Sequence, residues 1–508
     1  VVPMGRASTA SYVLTCELLS NAHERKILDK KLNIGRQIYN SCLGEALKRL
    51  RKVQADKEYR EVLGALMEFK NAKSKEDKAE KKRLSIRLSD IERSYGYSEY
   101  ALHNFVKEGQ KHFLDTKTVT KAGKPKQGLH IGSLEAQVLA TRAFRAVKKL
   151  HYHEAEKVYF KRYGESISIE NKNNVTGLRY VDGHVLWGEL KLSLKVKRND
   201  LYMQYALMDK TKYIRILKRE IRGKERFFVQ LIQEGIPPVK ERKKGTGGVG
   251  LDIGPSTIAM VSDEAVELRE LAPGIVADSK KLRRAERAMD RSKRATNPDN
   301  FDQNGVVKKG SRNWIYSNRY QKLRARRKEL HRKIAAGRKQ SHEILANEIL
   351  AQGDDIRVET MRFQGLQKRA KETTRNQKNG KINKKKRFGK SIGNHAPAMF
   401  LSILERKLAY EGLELKKVDT FELKASQFNH VTGEYQKKLL SERWNDIGGR
   451  KIQRDLYSAF LIGNTNKDLC SVNVEECNRR WEVFVRLHDR EVERVRKSGS
   501  KALGWYVA

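Results

Sequence analysis

Three acids stand in apolar settings where a bare carboxylate is expensive. Asp252 lies in Gly247-Gly248-Val249-Gly250-Leu251-Asp252-Ile253-Gly254, an apolar strand closed by a glycine turn and followed by Ile258-Ala259-Met260-Val261. Glu359 ends Ile356-Arg357-Val358-Glu359, and Asp455 sits in Gln453-Arg454-Asp455-Leu456-Tyr457. A half-buried carboxylate is costly to desolvate unless it binds something positive, usually a metal ion. Phosphodiester hydrolysis by two metal ions needs carboxylates that hold two Mg²⁺ about 3.5–4 Å apart, one ion activating water and the other stabilising the leaving oxygen. Mg²⁺ takes oxygen ligands and keeps several waters, so three acids suffice when the scissile phosphate supplies the rest. Asp252 would bridge the two ions, with Glu359 and Asp455 adding a ligand each and Mn²⁺ as the natural substitute. Asp252, Glu359 and Asp455 are thus the candidate catalytic and metal-ligating residues.

The rest of the chain points to the same substrate. Lys and Arg number 107 against 62 Asp and Glu in 508 residues, a net charge of +45. Such an imbalance repels itself in a compact fold and calls for a polyanion. No apolar run approaches the roughly 20 residues that span a bilayer, and there is no signal-peptide core. Nucleic acid is therefore favoured over a membrane surface, and a cytoplasmic, nucleoid-associated protein is expected. Four scattered cysteines, Cys16, Cys42, Cys470 and Cys477, fit a reducing compartment. Cys470 and Cys477 are read as two buried apolar thiols on one helix face.

The elements that must position the acids follow from periodicity. Tyr12 to Leu18 reads as a strand, and a helical pattern runs from about His23 to Lys52. Helices with basic faces continue to about Arg162, one marked by Leu63, Leu66, Met67 and Phe69, another by Val138, Ala143, Val147 and Leu150. Between Ser166 and Pro237 the period becomes two, as in Leu190-Lys191-Leu192-Ser193-Leu194-Lys195, which predicts a small antiparallel sheet or barrel. Pro237-Pro238 and the tract from Lys240 to Lys244 form a linker. Beyond it, strands alternate with helices as in a layered α/β domain. A helix from about Asn318 to Leu350 carries Arg319, Lys322, Arg324, Arg326, Arg327 and Lys328 in its first half. The segment from Gln367 to Lys390 is basic and polar, with Lys368, Arg369 and Lys384-Lys385-Lys386-Arg387 as candidate nucleic-acid contacts alongside Arg319, Lys322 and Arg326. That segment is expected to order on nucleic acid. Tyr39, Tyr97 and Tyr100 are possible stacking residues, each more simply read as core or filler.

Two other readings of the Asp252 hairpin fail on the sequence. Actin-like and sugar-kinase folds need a second Asp-x-Gly hairpin and a glycine-rich adenosine site, and neither is evident. DDE transposases carry their acids in the order Asp, Asp, Glu, whereas here it is Asp, Glu, Asp. The chain resembles the TnpB family of transposon-encoded RNA-guided nucleases and their relatives, the compact type V CRISPR effectors. The resemblance rests on Gly250-Leu251-Asp252-Ile253-Gly254, Ile356-Arg357-Val358-Glu359 and Arg454-Asp455-Leu456-Tyr457-Ser458-Ala459 as the three RuvC motifs. Arg319-Tyr320-Gln321-Lys322-Leu323, His331-Arg332-Lys333-Ile334 and Ser441-Glu442-Arg443 support it. It covers roughly residues 246–465.

The resemblance implies a multidomain α/β protein. An RNase H-like (RuvC) nuclease domain would join an N-terminal wedge-like β-barrel interrupted by a helical recognition insertion. The implied boundaries are 1–45 for the first part of the wedge, 46–162 for the insertion and 163–245 for the barrel and linker. Residues 246–420 would hold nuclease motifs I and II, 421–452 a zinc-ribbon-like lobe, and 453–508 motif III and a C-terminal helix. The implied activity is RNA-guided DNA cleavage, with a structured guide RNA and double-stranded target DNA as partners and a monomer favoured over a dimer. The sequence departs from the family at the ribbon. The four cysteine positions hold Asn429, Thr432, Asn445 and Gly448, which cannot replace Cys₄ at a tetrahedral Zn²⁺ site. No structural zinc is expected, and packing through Phe428, Tyr435, Leu439 and Trp444 is predicted to hold the lobe. The alternatives are an RNA-guided repressor that does not cut and an RNA-free, junction-resolving nuclease.

Overall fold

The structure, a computed structural model, describes residues 9–69, 74–109, 129–165, 167–238, 244–310, 313–376, 380, 382–383, 388–437, 439, 442–500 and 502–508. It divides into two compact units, Val1–Val239 and Lys240–Ala508.

In the first unit, the strand Ser11–Leu18 buries Tyr12, Leu14, Cys16 and Leu18 on one face, as its alternation requires. It lies between Lys224–Glu234 and Leu190–Lys195, antiparallel to both, with Leu14 opposite Leu231 and Cys16 opposite Val229. The sheet has seven strands; Thr211–Ile221 and Ile169–Glu170 extend one side, His184–Trp187 and Arg179–Val181 the other. Among the described residues, its two end strands share no hydrogen-bonded ladder, so the expected barrel is an open sheet in its hydrogen bonding. Between the first strand and the rest come the helices Ala22–Ala55, Lys57–Glu68, Lys75–Ser94, Glu99–Gly109 and Ser133–His151. Asn21 and Glu24 form a reciprocal capping box that starts the first helix. Tyr97 is buried in this helical layer and Tyr100 is exposed.

The second unit is built on a five-stranded sheet in the order Val266–Glu270, Thr257–Val261, Gly248–Ile253, Asp355–Glu359, Lys416–Val418. The first three form an antiparallel meander, and the last two run parallel to Gly248–Ile253. Helices cover both faces. Asn318–Leu350 and Pro397–Tyr410 pack over Val249, Leu251, Ile253, Ile356 and Val358. Arg454–Gly463 and Val474–Lys497 close the opposite face around Tyr457, Phe460 and Phe484. Ser317 caps the long helix through Tyr320 N at 3.1 Å.

Several expectations shift. The Val474–Lys497 helix begins at its cap Asn473, so Cys470 lies in the preceding turn and is exposed, and of that expected pair Cys477 alone is buried. In the lobe between Glu359 and Asp455, Phe428 and Trp444 pack on the core, and Tyr435 meets the Phe428 ring at 4.8 Å. Leu439 is 69% exposed and contributes its carbonyl to Arg454 instead of a packed side chain. His430 is buried among Tyr457, Phe460 and Trp481, with Nδ1 2.7 Å from the Tyr457 hydroxyl. Burial pushes its imidazole down to about 4.

Candidate active site

The sheet brings two of the three acids together by register. Leu251 pairs with Val358 across parallel strands, so Asp252 and Glu359 are the next residues on each, about 4.8 Å apart in the backbone. Leu251 and Val358 point into the core beneath the long helix, so Asp252 and Glu359 face the other side. Arg357, two residues before Glu359 and on that same side, donates to the Thr465 carbonyl and hydroxyl just past the end of the Arg454–Gly463 helix. That helix therefore lies over the acids, with Asp455 in its first turn.

Gly250 sets how closely the helix approaches. A Cβ there would stand 1.9 Å from the Ala459 carbonyl oxygen and 2.4 Å from Gly463 N. Only glycine permits that contact. Gly463 answers it from the helix side, where a Cβ would be 3.0 Å from Gly250 N. The helix start is fixed as firmly. Gln453 Oε1 accepts from Leu456 N at 2.7 Å, and the Gln453 N–H donates to His488 Nε2 at 2.9 Å. Gln453 Nε2 then donates to Asp455 Oδ2 at 3.2 Å.

The electrostatics are those of a cluster short of positive charge. Burial pushes the Asp252 carboxyl well above the usual carboxylate range, and the neighbouring charges of Asp455 and Glu359 push it further, while Arg454 and Arg443 pull it back. Burial raises Glu359 too, opposed by Arg454. Among the described residues, neither Asp252 nor Glu359 has a hydrogen bond or ion pair from its side chain. Asp455 is different: Arg443 Nη1 lies 3.5 Å from its Oδ2. Among the described residues, no group of three or more His, Cys, Asp or Glu side chains is already converged on a metal position. The arginine and the glutamine hold the third carboxylate, while among the described residues no cation contacts the first two. A half-buried acid pair whose nearest cations act only at a distance fits a divalent cation better than any neutral partner.

Sequence reasoning gave no role to Arg443, although it stands in a quoted motif, and none to Trp505 and Tyr506. The Arg443 guanidinium lies 3.9 Å over the Trp505 ring and 4.8 Å over that of Tyr506. Tyr506 OH meets Thr257 Oγ1 at 3.2 Å, which ties this aromatic pair to the turn after Asp252. Of the predicted nucleic-acid contacts, Arg319, Lys322 and Arg326 are exposed on the first half of the Asn318–Leu350 helix. Lys368 and Arg369 are exposed after the short helix Phe363–Gln367. Lys384, Lys385, Lys386 and Arg387 lie outside the described residues. No helix among the described residues is long and apolar enough to cross a membrane.

No family model matches the chain, and the search of curated proteins finds no match. Among solved structures, it is similar to a Cas12f1–sgRNA–target DNA complex at 13% identity, over 90% of this chain and 99% of that one, with a TM-score of 0.43. It is also similar to a CRISPR–Cas12f ternary complex at 15% identity, over 87% of this chain and 82% of that one, with a TM-score of 0.26. At these TM-scores the likeness carries no argument, and function has to be read from the site.

Proposed function

We propose that the chain is an RNA-guided DNA endonuclease that cleaves phosphodiesters at Asp252, Glu359 and Asp455 in an RNase H-like domain. One observation carries the nuclease reading. Three acids far apart in sequence lie at one face of the sheet, Asp455 on the helix that covers it, and among the described residues two of them make no ion pair or hydrogen bond through the side chain. RNA guidance is supported by the motif resemblance and by a charge of +45, which suits a scaffold and heteroduplex better than a short DNA site.

Asp252, Glu359 and Asp455 would hold two Mg²⁺, with Mn²⁺ able to substitute and no structural zinc elsewhere. The bound ions would supply an activated water and stabilise the leaving oxygen. The protein's own part is placement. Adjacent strands fix Asp252 beside Glu359, and the close-packed helix delivers Asp455 from above. Arg443 and Arg454 offset the repulsion among the carboxylates. Base pairing with the guide would choose the target and exposed arginines and lysines would follow the phosphates.

The test starts with the RNA that co-purifies with the chain expressed from its own locus. A discrete species with a constant scaffold and a variable guide supports the reading; a featureless mixture of cellular RNA removes guidance and leaves a basic nuclease. Target duplex is then offered to the RNA complex with Mg²⁺. Asp252→Ala, Glu359→Ala and Asp455→Ala should each lose cleavage by on the order of a thousandfold while binding RNA and target as the parent does. Loss of binding in all three would make the acids structural. An intact parent complex that binds target but never nicks it would turn the reading to a repressor.

A further inference from the structure

We propose that Tyr159, Phe160 and Tyr163 form a stacking platform for unpaired bases of a nucleic-acid strand. They lie in Lys157-Val158-Tyr159-Phe160-Lys161-Arg162-Tyr163, between the Ser133–His151 helix and the strand Ile169–Glu170. Their exposures are 72%, 51% and 85%. Single exposed aromatics are ordinary on a protein surface, but three within five residues are a local concentration that a lone surface residue does not explain.

The backbone beneath them is held in place. Asn40, on the Ala22–Ala55 helix, accepts from Lys161 N through Oδ1 and donates to Lys161 O through Nδ2, both at 2.8 Å. It thus pairs with the segment much as a neighbouring strand would. Arg36 adds a second donor to the Lys161 carbonyl at 3.1 Å, and its guanidinium carbon lies 5.8 Å from the Tyr163 ring centre. Phe160 rests beside the helix at Gly44, its ring 3.8 Å from where a Cβ on that glycine would be. The backbone between Phe160 and Tyr163 is therefore on a fixed support, so little of its ordering entropy opposes binding.

The occupant follows from what accompanies the rings. Lys157, Lys161 and Arg162 alternate with them, and no acid falls between Lys157 and Tyr163. A neutral protein or lipid surface would leave the interleaved cations unused, and an anionic membrane would meet the cations but offers no flat π-face to stack on the rings. A single strand uses both, with phosphates on the cations and base faces on the rings. Base pairs in a duplex hide those faces, so the platform takes unpaired positions. The inference rests on the nucleic-acid part of the proposed function and is independent of the three acids and of cleavage.

The experiment uses the full chain and short single strands of RNA and of DNA, each carrying one 2-aminopurine. Matched strands with abasic sites keep the phosphates and remove the bases. Binding of abasic strands reports whether nucleic acid is bound at all; the preference for base-bearing strands and the quenching of 2-aminopurine report the platform. Replacing all three aromatics with alanine should weaken base-bearing strands by about tenfold or more, abolish the quenching and leave abasic strands unchanged. Tyr163→Ala alone, at an 85% exposed position, should lose part of the quenching with folding intact. Tyr159→Phe with Tyr163→Phe should keep it. A loss confined to RNA or to DNA assigns the strand. Unchanged quenching in the alanine variants, or phenylalanine variants that lose as much as alanine, overturns the proposal.

Discussion

Arg443 reaches Asp455 Oδ2 at 3.5 Å while its guanidinium plane lies over Trp505. Both side chains are mostly shielded from solvent, at 16% and 18% exposure. The contact therefore acts at a lower effective dielectric than a surface pair would. The acid on the helix is held by a cation that two aromatic rings keep in place, and this decides which carboxylate stands apart from the other two. Arg443→Ala should lower cleavage by on the order of a hundredfold with target affinity nearly unchanged, measured as single-turnover rates at saturating target. Arg443→Lys should restore little, because an ammonium lacks the planar face that lies over the Trp505 ring.

The acid cluster should leave a signature in stability. In the metal-free protein, Asp252 and Glu359 keep protons to a higher pH than they do in the unfolded chain. Stability from these groups is therefore present at and below the ordinary carboxylate range and is lost as pH rises through their raised folded values. Asp252→Asn should raise the melting temperature near neutral pH, by about 2–4 °C for each kcal/mol of repulsion removed, and flatten its pH dependence. Mg²⁺ should stabilise the parent and not the variant. Melts with chelator and with Mg²⁺, from about pH 5 to about pH 8, check both statements.

Gly250 should tolerate no side chain. Gly250→Ala forces a Cβ against the Ala459 carbonyl, which should cost about 1–3 kcal/mol in chemical denaturation. The helix and Asp455 must shift to relieve the clash, and a displacement near 1 Å is expected to reduce cleavage by about a hundredfold. Gly337→Ala is the control. It lies within the Asn318–Leu350 helix with nothing near its would-be Cβ, and should gain about 0.5–1 kcal/mol.

The basic face of the long helix makes a prediction about salt. Replacing Arg319, Lys322 and Arg326 together with alanine should weaken duplex binding across sequences. It should also make the slope of log K against log salt shallower by about 2–3. Unchanged slopes would place these side chains away from phosphate.

What could be read in advance was whatever a local pattern encodes. The Asn318–Leu350 helix announced itself by its helical pattern and its basic first half. Leu190–Lys195 announced itself by strict alternation. The acids Asp252, Glu359 and Asp455 stood out because a carboxylate in apolar text is rare. What failed depended on distant contacts. Nothing local marks Trp505 and Tyr506 as neighbours of Arg443, since tertiary packing alone brings them there. Cys470 was misplaced because a seven-residue spacing means one helix face only when the helix extends that far, and Asn473 starts it later. Leu439 was assigned to packing by its hydrophobicity, yet what the fold uses is its carbonyl.

Among the described residues, the strand Ser11–Leu18 finds its ladder partners at Leu190–Lys195 and Lys224–Glu234. During synthesis it leaves the ribosome with both edges open and waits on the order of ten seconds or more for the chain that will cover them. The helices that follow close their own hydrogen bonds locally and can form as they emerge, although the first packs chiefly on the last of them, Ser133–His151. The order of birth therefore differs from the order of assembly, and the earliest strand is among the last parts of its sheet to be secured.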